Sequence, residues 1–386
     1  MRANQPIQVM IVAGEVSGDL HGAEVVCAMR QSGLPIDFFG MGGTALAAAG
    51  VQLLVDAARV SVVGLTEVLT HVRPILAAHR VLKQALGNRR PDLVILIDFP
   101  DFNLRLARVA QSFHIPVLYY ISPQIWAWRT GRVRTIRKRV DHMAVIFPFE
   151  ARFFDANNVT ATYVGHPLLD HPWPRPVKPD DESFPVIGLL PGSRGQEVAR
   201  HLPVMLDSIP SIRRDFARAR FLIAPADEKQ RASARGMVNE RRLTDVCEIV
   251  PGGARSIFPR CHMVIAVSGT VTLEAAIAGT PMVVIYRVSP VSYLLGRMMI
   301  RVNSISLVNL VAGKKVVPEL IQKDALPATI AGQTVDMLKT PGRLDSIRRE
   351  LADVKKKLGT GGAGRRVAEI AAAMINRRRV TEGMTK

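Results

Sequence analysis

The sequence predicts an α/β chain of two doubly wound, Rossmann-like domains facing a cleft. Three observations predict it. Short apolar runs alternate with helical patterns through both halves of the chain, as strands buried on both faces of a parallel sheet require. Several runs end in glycine-rich or small-residue turns that open a helix. A proline-rich stretch, HPWPRPVKPDDESFP at 171–185, interrupts the alternation and reads as a linker. A chain of 386 residues has the length for two domains.

The bulk composition narrows the class. Hydrophobic residues at 48 % and charged residues at 22 % supply material for two cores. Cys27, Cys247 and Cys261 lie far apart and form no C-x-x-C pair, which argues against a disulfide framework or a zinc site and fits a reducing cytoplasm. No metal site and no cofactor are expected. The N-terminal MRANQPIQVMIVAGE reads as a first strand rather than a signal peptide. No apolar run approaches the ~20 residues of a spanning helix. The unusual number is the charge, +18 from 51 Lys+Arg against 33 Asp+Glu. Such a field favours polyanions. Aromatics are 5 % and form no regular stacking platform, so a membrane face or a phosphorylated substrate ranks above nucleic acid.

In the first half the predicted strands are 7–12, 36–40, 51–55, 92–97, 116–121, 142–147 and 160–164. Ligands of such sheets bind at the strands' carboxyl ends, so the residues after each strand carry the argument. AGEVSGDLHGA (13–23) brings Glu15, Asp19 and His21 into a glycine turn that does not meet the dinucleotide fingerprint G-x-G-x-x-G. Its acids suit sugar hydroxyls better than phosphate, and helix capping by Asp19 stays open beside that reading. FGMGGTALAAAG (39–50) is a second glycine turn. Residues 61–86 carry a helical apolar face (Leu65, Val68, Leu69, Val72, Leu76) with basic residues between, and Pro74 predicts a break or kink. This stretch is either core-facing or an interfacial helix that meets lipid. Asp98 stands at the end of strand 92–97, placed for general base work if burial raises its pKa. The alternative reading is that Asp98 or Asp101 caps the helix that follows. Gln124 and Trp126 lie in a loop after strand 116–121, followed by basic residues from Arg129 to Arg139 that either grip phosphates or form a solvated face. His166 and Pro167 sit in a turn expected at the edge of the cleft.

The second half restarts with VIGLLPGSRGQEV (186–198). Gly192, Ser193 and Arg194 open a helix there, with backbone N–H groups and a guanidinium fit for phosphate. It is not a Walker motif. Strands follow at 219–225, 246–252 and 263–267. Then Ser268, Gly269 and Thr270 open another helix, with Glu274 one turn in, near enough to accept hydrogen bonds from sugar hydroxyls. A strand MVVIY follows, then an apolar and arginine-bearing stretch at 287–302, a second candidate lipid-facing patch. Asn309 and Glu319 read as loop residues. From Leu326 the pattern is helical and basic. The expected division is 1–170, linker 171–185, 186–340, and 341–386 as basic C-terminal helices that could pack back on the N-terminal domain.

AGEVSGDLHGA, IDFPDFN, YYISPQIWAW, FPFE, GHPLLD, LLPGSRGQE, SGTVTLEAA and NLVAGKKVVPELIQ, in this order, resemble the lipid-A-disaccharide synthase family over about Val9 to Gln322. Single pieces such as GSR are weak; eight in order are specific. Val63 stands where methionine is expected, and Val308 where proline usually precedes the asparagine. The resemblance implies a GT-B glycosyltransferase that joins UDP-2,3-diacylglucosamine to 2,3-diacylglucosamine 1-phosphate (lipid X), forming the β(1→6) disaccharide and UDP with inversion. It implies a peripheral enzyme at the cytoplasmic membrane face, with an acceptor-binding, membrane-facing N-terminal domain and a UDP-sugar-binding C-terminal one. A homodimer stays open. Asp98 is the first choice for base and Glu15 the second, with His21 a weaker candidate. Gly192, Ser193, Arg194, Ser268, Gly269 and Thr270 would hold the diphosphate, and Glu274 the ribose. Asn309, Gln124 and Trp126 would contact donor or acceptor.

Overall fold

The computed structural model describes residues 6–60, 68–128, 130–174, 184–289, 293 and 304–384. It divides into two units, Met1–Asp170 with Thr360–Lys386, and His171–Gly359. Parts of three expected features fall outside the described residues: 61–67 of the first amphipathic stretch, most of 290–303 of the second, and 175–183 of the proline-rich stretch. Arg129 lies outside them too.

Unit 1 carries seven parallel strands. They are β1 (Ile7–Ala13), β2 (Ile36–Gly42), β3 (Gln52–Asp56), β4 (Leu93–Ile97), β5 (Val117–Tyr120), β6 (His142–Val145) and β7 (Ala161–Tyr163), in the order β3-β2-β1-β4-β5-β6-β7. The central strands are apolar throughout because helices cover both faces; β4 is buried at every position. The covering helices are α1 (Val16–Arg30), α2 (Thr44–Ala48), α3 (Val68–Arg89), α4 (Pro100–Ser112), α5 (Ile125–Trp128), α6 (Val133–Arg139) and α7 (Pro148–Asp155). The break expected at Pro74 does not occur: α3 runs through it as one helix. Proline removes one ladder bond near the start of a long helix. The later turns hold by packing, with Ala78, Leu82, Ala85 and Leu86 buried in the core.

Unit 2 carries β8 (Val186–Leu190), β9 (Arg220–Ile223), β10 (Cys247–Ile249), β11 (Met263–Val267), β12 (Met282–Tyr286) and β13 (Glu319–Ile321), parallel, in the order β10-β9-β8-β11-β12-β13. Its helices are α8 (Gly195–Asp215), α9 (Glu228–Glu240), α10 (Ala254–Ile257), α11 (Thr270–Ala278), α12 (Leu307–Ala312), α13 (Pro327–Lys339) and α14 (Arg343–Lys357). Two sequence expectations differ here. Glu319 opens an edge strand instead of lying in a loop, since three residues are too short for an alternation to register. Residues 341–359 belong to unit 2: Leu344, Ile347, Leu351 and Val354 form a buried stripe on α14, which packs on α11 and α12.

The last helix, α15 (Ala363–Met384), packs on α1 in unit 1. Its start is held by the turn after β7. The Asp170 carboxylate accepts from the N–H groups of Gly362 (2.6 Å), Ala363 (3.2 Å) and Gly364 (3.4 Å), a capping arrangement made across the chain. Arg366 donates to the carbonyls of Val164, Thr360 and Gly361. Gly165 is at φ +81°, and a Cβ there would lie 2.6 Å from the Arg366 guanidinium. At the far end Arg378 donates to the carbonyls of Pro91 and Asp92.

Candidate functional site

In each sheet the strand order reverses at one place, between β1 and β4 in unit 1 and between β8 and β11 in unit 2. Loops that leave two adjacent strands in opposite directions open a crevice at the carboxyl ends, where open α/β sheets bind ligands. Register brings the expected residues there in pairs. Ala13 is level with Ile97, so Gly14-Glu15 and Asp98 leave the first sheet side by side. Leu190 is level with Ala266, so the turns at 192–195 and 268–270 leave the second side by side.

At the first switch point Asp98 (φ 45°) and Phe99 (φ 48°) both take left-handed backbone, unusual for side chains other than glycine. The Phe99 ring lies against Gly14, where a Cβ would stand 2.4 Å from ring carbons. The Asp98 carboxyl is pushed up from 3.8 to about 6, first by burial and then by the Glu15 charge, with the Phe99 N–H pulling the other way. A carboxylate in that range can take a proton near neutrality. Glu15 is exposed at the start of α1 and makes no capping bond. The third expected acid–base residue, His21, sits elsewhere: it meets Glu24 at 3.4 Å and faces His166.

Asp19 and the loop residues have internal roles. The Asp19 carboxylate is buried and accepts from the N–H groups of Gly43, Ala45 and Leu46, so it caps α2 and fills the second glycine turn itself. Trp126 is half-buried, and its indole N–H donates to Glu150 at 3.0 Å. Glu150 is fully buried and pushed up to about 7, because desolvation outweighs its bonds from Phe147, Trp126 and Ile146. That commits the polar atom of Trp126 to the core. Gln124 is exposed beside it. His166 is buried, its pKa lowered to about 3 by desolvation and by His21; its ring nitrogen accepts from the Leu168 N–H. It serves the turn that docks α15.

At the second switch point the two turns differ. In the first, the N–H groups of Ser193 and Arg194 donate to the Glu197 carboxylate at 2.9 and 3.2 Å. Gly192 at φ +116° leaves room for that carboxylate, which would be 2.5 Å from a Cβ. The expected backbone cradle is therefore occupied by the chain's own anion. What faces outward is the Arg194 guanidinium, 65 % exposed. In the second turn, among the described residues, Gly269 precedes α11 with no side-chain capping bond, and nothing stands within 4 Å of where its Cβ would be. Thr270 is exposed. Among the described residues no side chain bonds to this helix start, and its N–H groups and dipole are of the kind that accepts an anion. The Ser268 hydroxyl is not free for ligand in the same way, since it donates to the Ile305 carbonyl at 2.8 Å. Glu274 is half-buried one turn on; desolvation raises its pKa and Arg255 lowers it.

Asn309 does not offer its amide to a ligand. It is 1 % exposed; its nitrogen donates to Val317 O and Glu319 Oε1, and its oxygen accepts from the N–H groups of Val316 and Val317. With Ser306 and Glu319 it pins the 305–319 segment. The sequence reading also missed His201. Buried between α8 and β12, it meets the Glu197 carbonyl at 2.8 Å through one ring nitrogen and accepts the Arg287 N–H at 3.0 Å through the other. A helical histidine four residues after Glu197 gave no signal in the sequence, because its second partner is far along the chain.

The comparisons agree with this architecture. The lipid-A-disaccharide synthetase family model matches residues 9–371. A lipid-A-disaccharide synthase of Geobacter sulfurreducens is 44 % identical, over 98 % of this chain and 100 % of its own. That of Syntrophus aciditrophicus is 45 % identical, over 96 % and 98 %. Among solved structures, S. aureus MnaA with UDP superposes at a TM-score of 0.63, with 11 % identity, over 96 % of this chain and 97 % of that one. CalG4, the calicheamicin glycosyltransferase, superposes at 0.59, with 16 % identity, over 97 % and 99 %. At such identities these two establish the fold alone, that of GT-B glycosyltransferases and related epimerases. With its sequence matched almost end to end, the chain belongs to the lipid-A-disaccharide synthetase family.

Proposed function

We propose that the chain transfers 2,3-diacylglucosamine from UDP-2,3-diacylglucosamine to the 6-hydroxyl of lipid X, giving the β(1→6) disaccharide 1-phosphate and UDP. The observation that carries this reading is the family match over residues 9–371. The acceptor oxygen forms its bond to the anomeric carbon as the bond from that carbon to the diphosphate oxygen breaks. The electron pair leaves on UDP, inverting the centre, and the hydroxyl proton passes to Asp98. Glu15 keeps Asp98 basic by its charge and stands near enough to accept an acceptor hydroxyl. The open N-terminus of α11, at Gly269 and Thr270, receives the diphosphate, and Arg194 supplies the cation that stabilises the leaving charge. Glu274 accepts the ribose hydroxyls.

A lipid-facing workplace is part of the same reading. Helices α3, α4 and α6 pack side by side and expose Arg80, Lys83, Arg105, Arg108, Arg134 and Arg137. The single carboxylate in the three helices is Asp101, paired with Arg132 at 2.5 Å. Among the described residues no helix is long and apolar enough to cross a membrane. This cationic face suits the anionic surface on which both acylated substrates reside.

The test is turnover with UDP-diacylglucosamine and lipid X, beside UDP binding. Asp98→Ala is expected to lower kcat by ~10²-fold or more, with UDP affinity retained. Near-normal turnover in that variant would remove Asp98 from the mechanism, and no disaccharide from the wild-type chain would sink the substrate assignment.

A further inference from the structure

The Asp98-Phe99 step is held by side chains from two other elements. Tyr119, on the neighbouring strand β5, donates its hydroxyl to the Asp98 carbonyl at 2.5 Å. Asn103, one turn into α4, donates to the same carbonyl at 2.7 Å and to the Ile97 carbonyl at 3.1 Å. Both side chains are fully buried. The Asp98 N–H is fixed as well, donating to the Tyr120 carbonyl at 3.0 Å. The peptide plane between two left-handed residues is thus tied at its oxygen twice, and the Phe99 ring is wedged on Gly14. A phenylalanine at 119 would fill the same core space. Burying a phenolic hydroxyl there makes sense if the bond it forms matters, because a buried polar group without one is costly. Backbone held in this sparsely populated region persists only where its surroundings over-determine it.

We propose that Tyr119 and Asn103 are positioning residues that clamp the Asp98 carbonyl and so hold the Asp98 carboxylate in its half-buried place beside Glu15. Neither touches substrate. The proposal rests on the reading of Asp98 as the base. Without the clamp the Asp98-Phe99 step relaxes toward ordinary backbone, and the carboxylate moves into solvent, away from Glu15. The charged groups around this point are Glu15 from the β1–α1 turn, Asp101 from the first turn of α4, and Arg132 ahead of α6; the last two act on the Tyr119 hydroxyl.

The experiment is the pH dependence of kcat and donor KM for wild type, Asp98→Asn and Tyr119→Phe. The base must be ionised, so wild-type turnover falls as pH drops through about 6. Tyr119→Phe is expected to lower kcat by about 10- to 100-fold through misplacement of the base. Donor KM should stay within about twofold, since an interaction needed only for the chemical step is lost. The acid limb should move down by about one unit as the carboxylate gains solvent. A general loss of stability would not move that limb. If kcat, or the limb, stays at the wild-type value in Tyr119→Phe, the clamp is overturned. Asp98→Asn separates the two ideas: retention of activity with the limb intact removes Asp98 as base, whatever Tyr119→Phe does. Should Tyr119→Phe fail to fold, Asn103→Ser, which removes the other donor to the same carbonyl, carries the same measurement with the same criteria.

Discussion

Asp98 shows what a half-buried carboxyl beside a second acid costs in stability. Its folded-state pKa, about 6, lies above the ordinary 3.8 because burial and Glu15 disfavour the charge. Between those values the folded chain holds a proton that the unfolded chain releases. The associated stability is therefore present below 3.8 and lost as pH rises through about 6. Asp98→Asn, neutral at every pH, keeps it. The variant is expected to melt above wild type at neutral pH, with the difference shrinking as pH falls toward 4; thermal denaturation across that range checks it. A variant less stable than wild type at neutral pH would contradict the burial cost. Asp98 was legible in the sequence because it follows a strand buried on both faces. Its left-handed backbone and its Tyr119 partner were not, since both depend on a neighbouring strand.

At the scale of elements, turns that look alike in sequence do different work. Both Gly-Ser-Arg-Gly at 192–195 and Ser-Gly-Thr at 268–270 link a strand to a helix. Glu197 occupies the first turn's N–H groups, whereas among the described residues no side chain caps the second. The 305–319 segment makes the same point through Asn309. All the polar capacity of that amide is spent inside the segment, so its substitution is a structural change. Asn309→Ala is expected to destabilise unit 2 by about 1–3 kcal/mol for each buried group left unpaired, the Val316 and Val317 N–H groups first among them. Urea unfolding followed in unit 2 checks this. A variant of wild-type stability with weakened donor binding would restore Asn309 as a ligand contact. The GHPLLD turn likewise reads in sequence as a turn at the edge of the cleft, yet Asp170 caps α15, Gly165 makes room for Arg366, and His166 bonds within the turn itself.

At the scale of the whole molecule, the +18 charge divides into roles. Arg366 and Arg378 are tied to backbone carbonyls in unit 1 and are structural. Arg80, Lys83, Arg105, Arg108, Arg134 and Arg137 of α3, α4 and α6 are exposed on one layer, with a single paired carboxylate, Asp101, in the three helices. Binding through that layer is expected to favour vesicles containing phosphatidylglycerol over neutral ones, and to weaken as salt shortens the screening length. Replacing Arg105, Arg108, Arg134 and Arg137 by glutamate should abolish vesicle sedimentation at moderate salt, with UDP binding intact. Unchanged sedimentation would move the lipid surface to another face, and preferential retention of RNA would favour the nucleic-acid reading of the charge.

The sequence by itself determined the two parallel sheets, all but one of their strands, and the small-residue turns that the fold brings to the switch points of those sheets. Apolar runs buried on both faces and small residues after them are local signals. It also carried the family, through eight ordered motifs. Tertiary structure alone decided which motif residues remain free. Glu197 fills one anion cradle and Asp19 another, Asn309 is saturated, and the terminal helix returns to the first unit. Each of these depends on a partner brought near by the fold, and hydrogen-bond capacity is finite: a polar group spent on the chain is not available to a substrate.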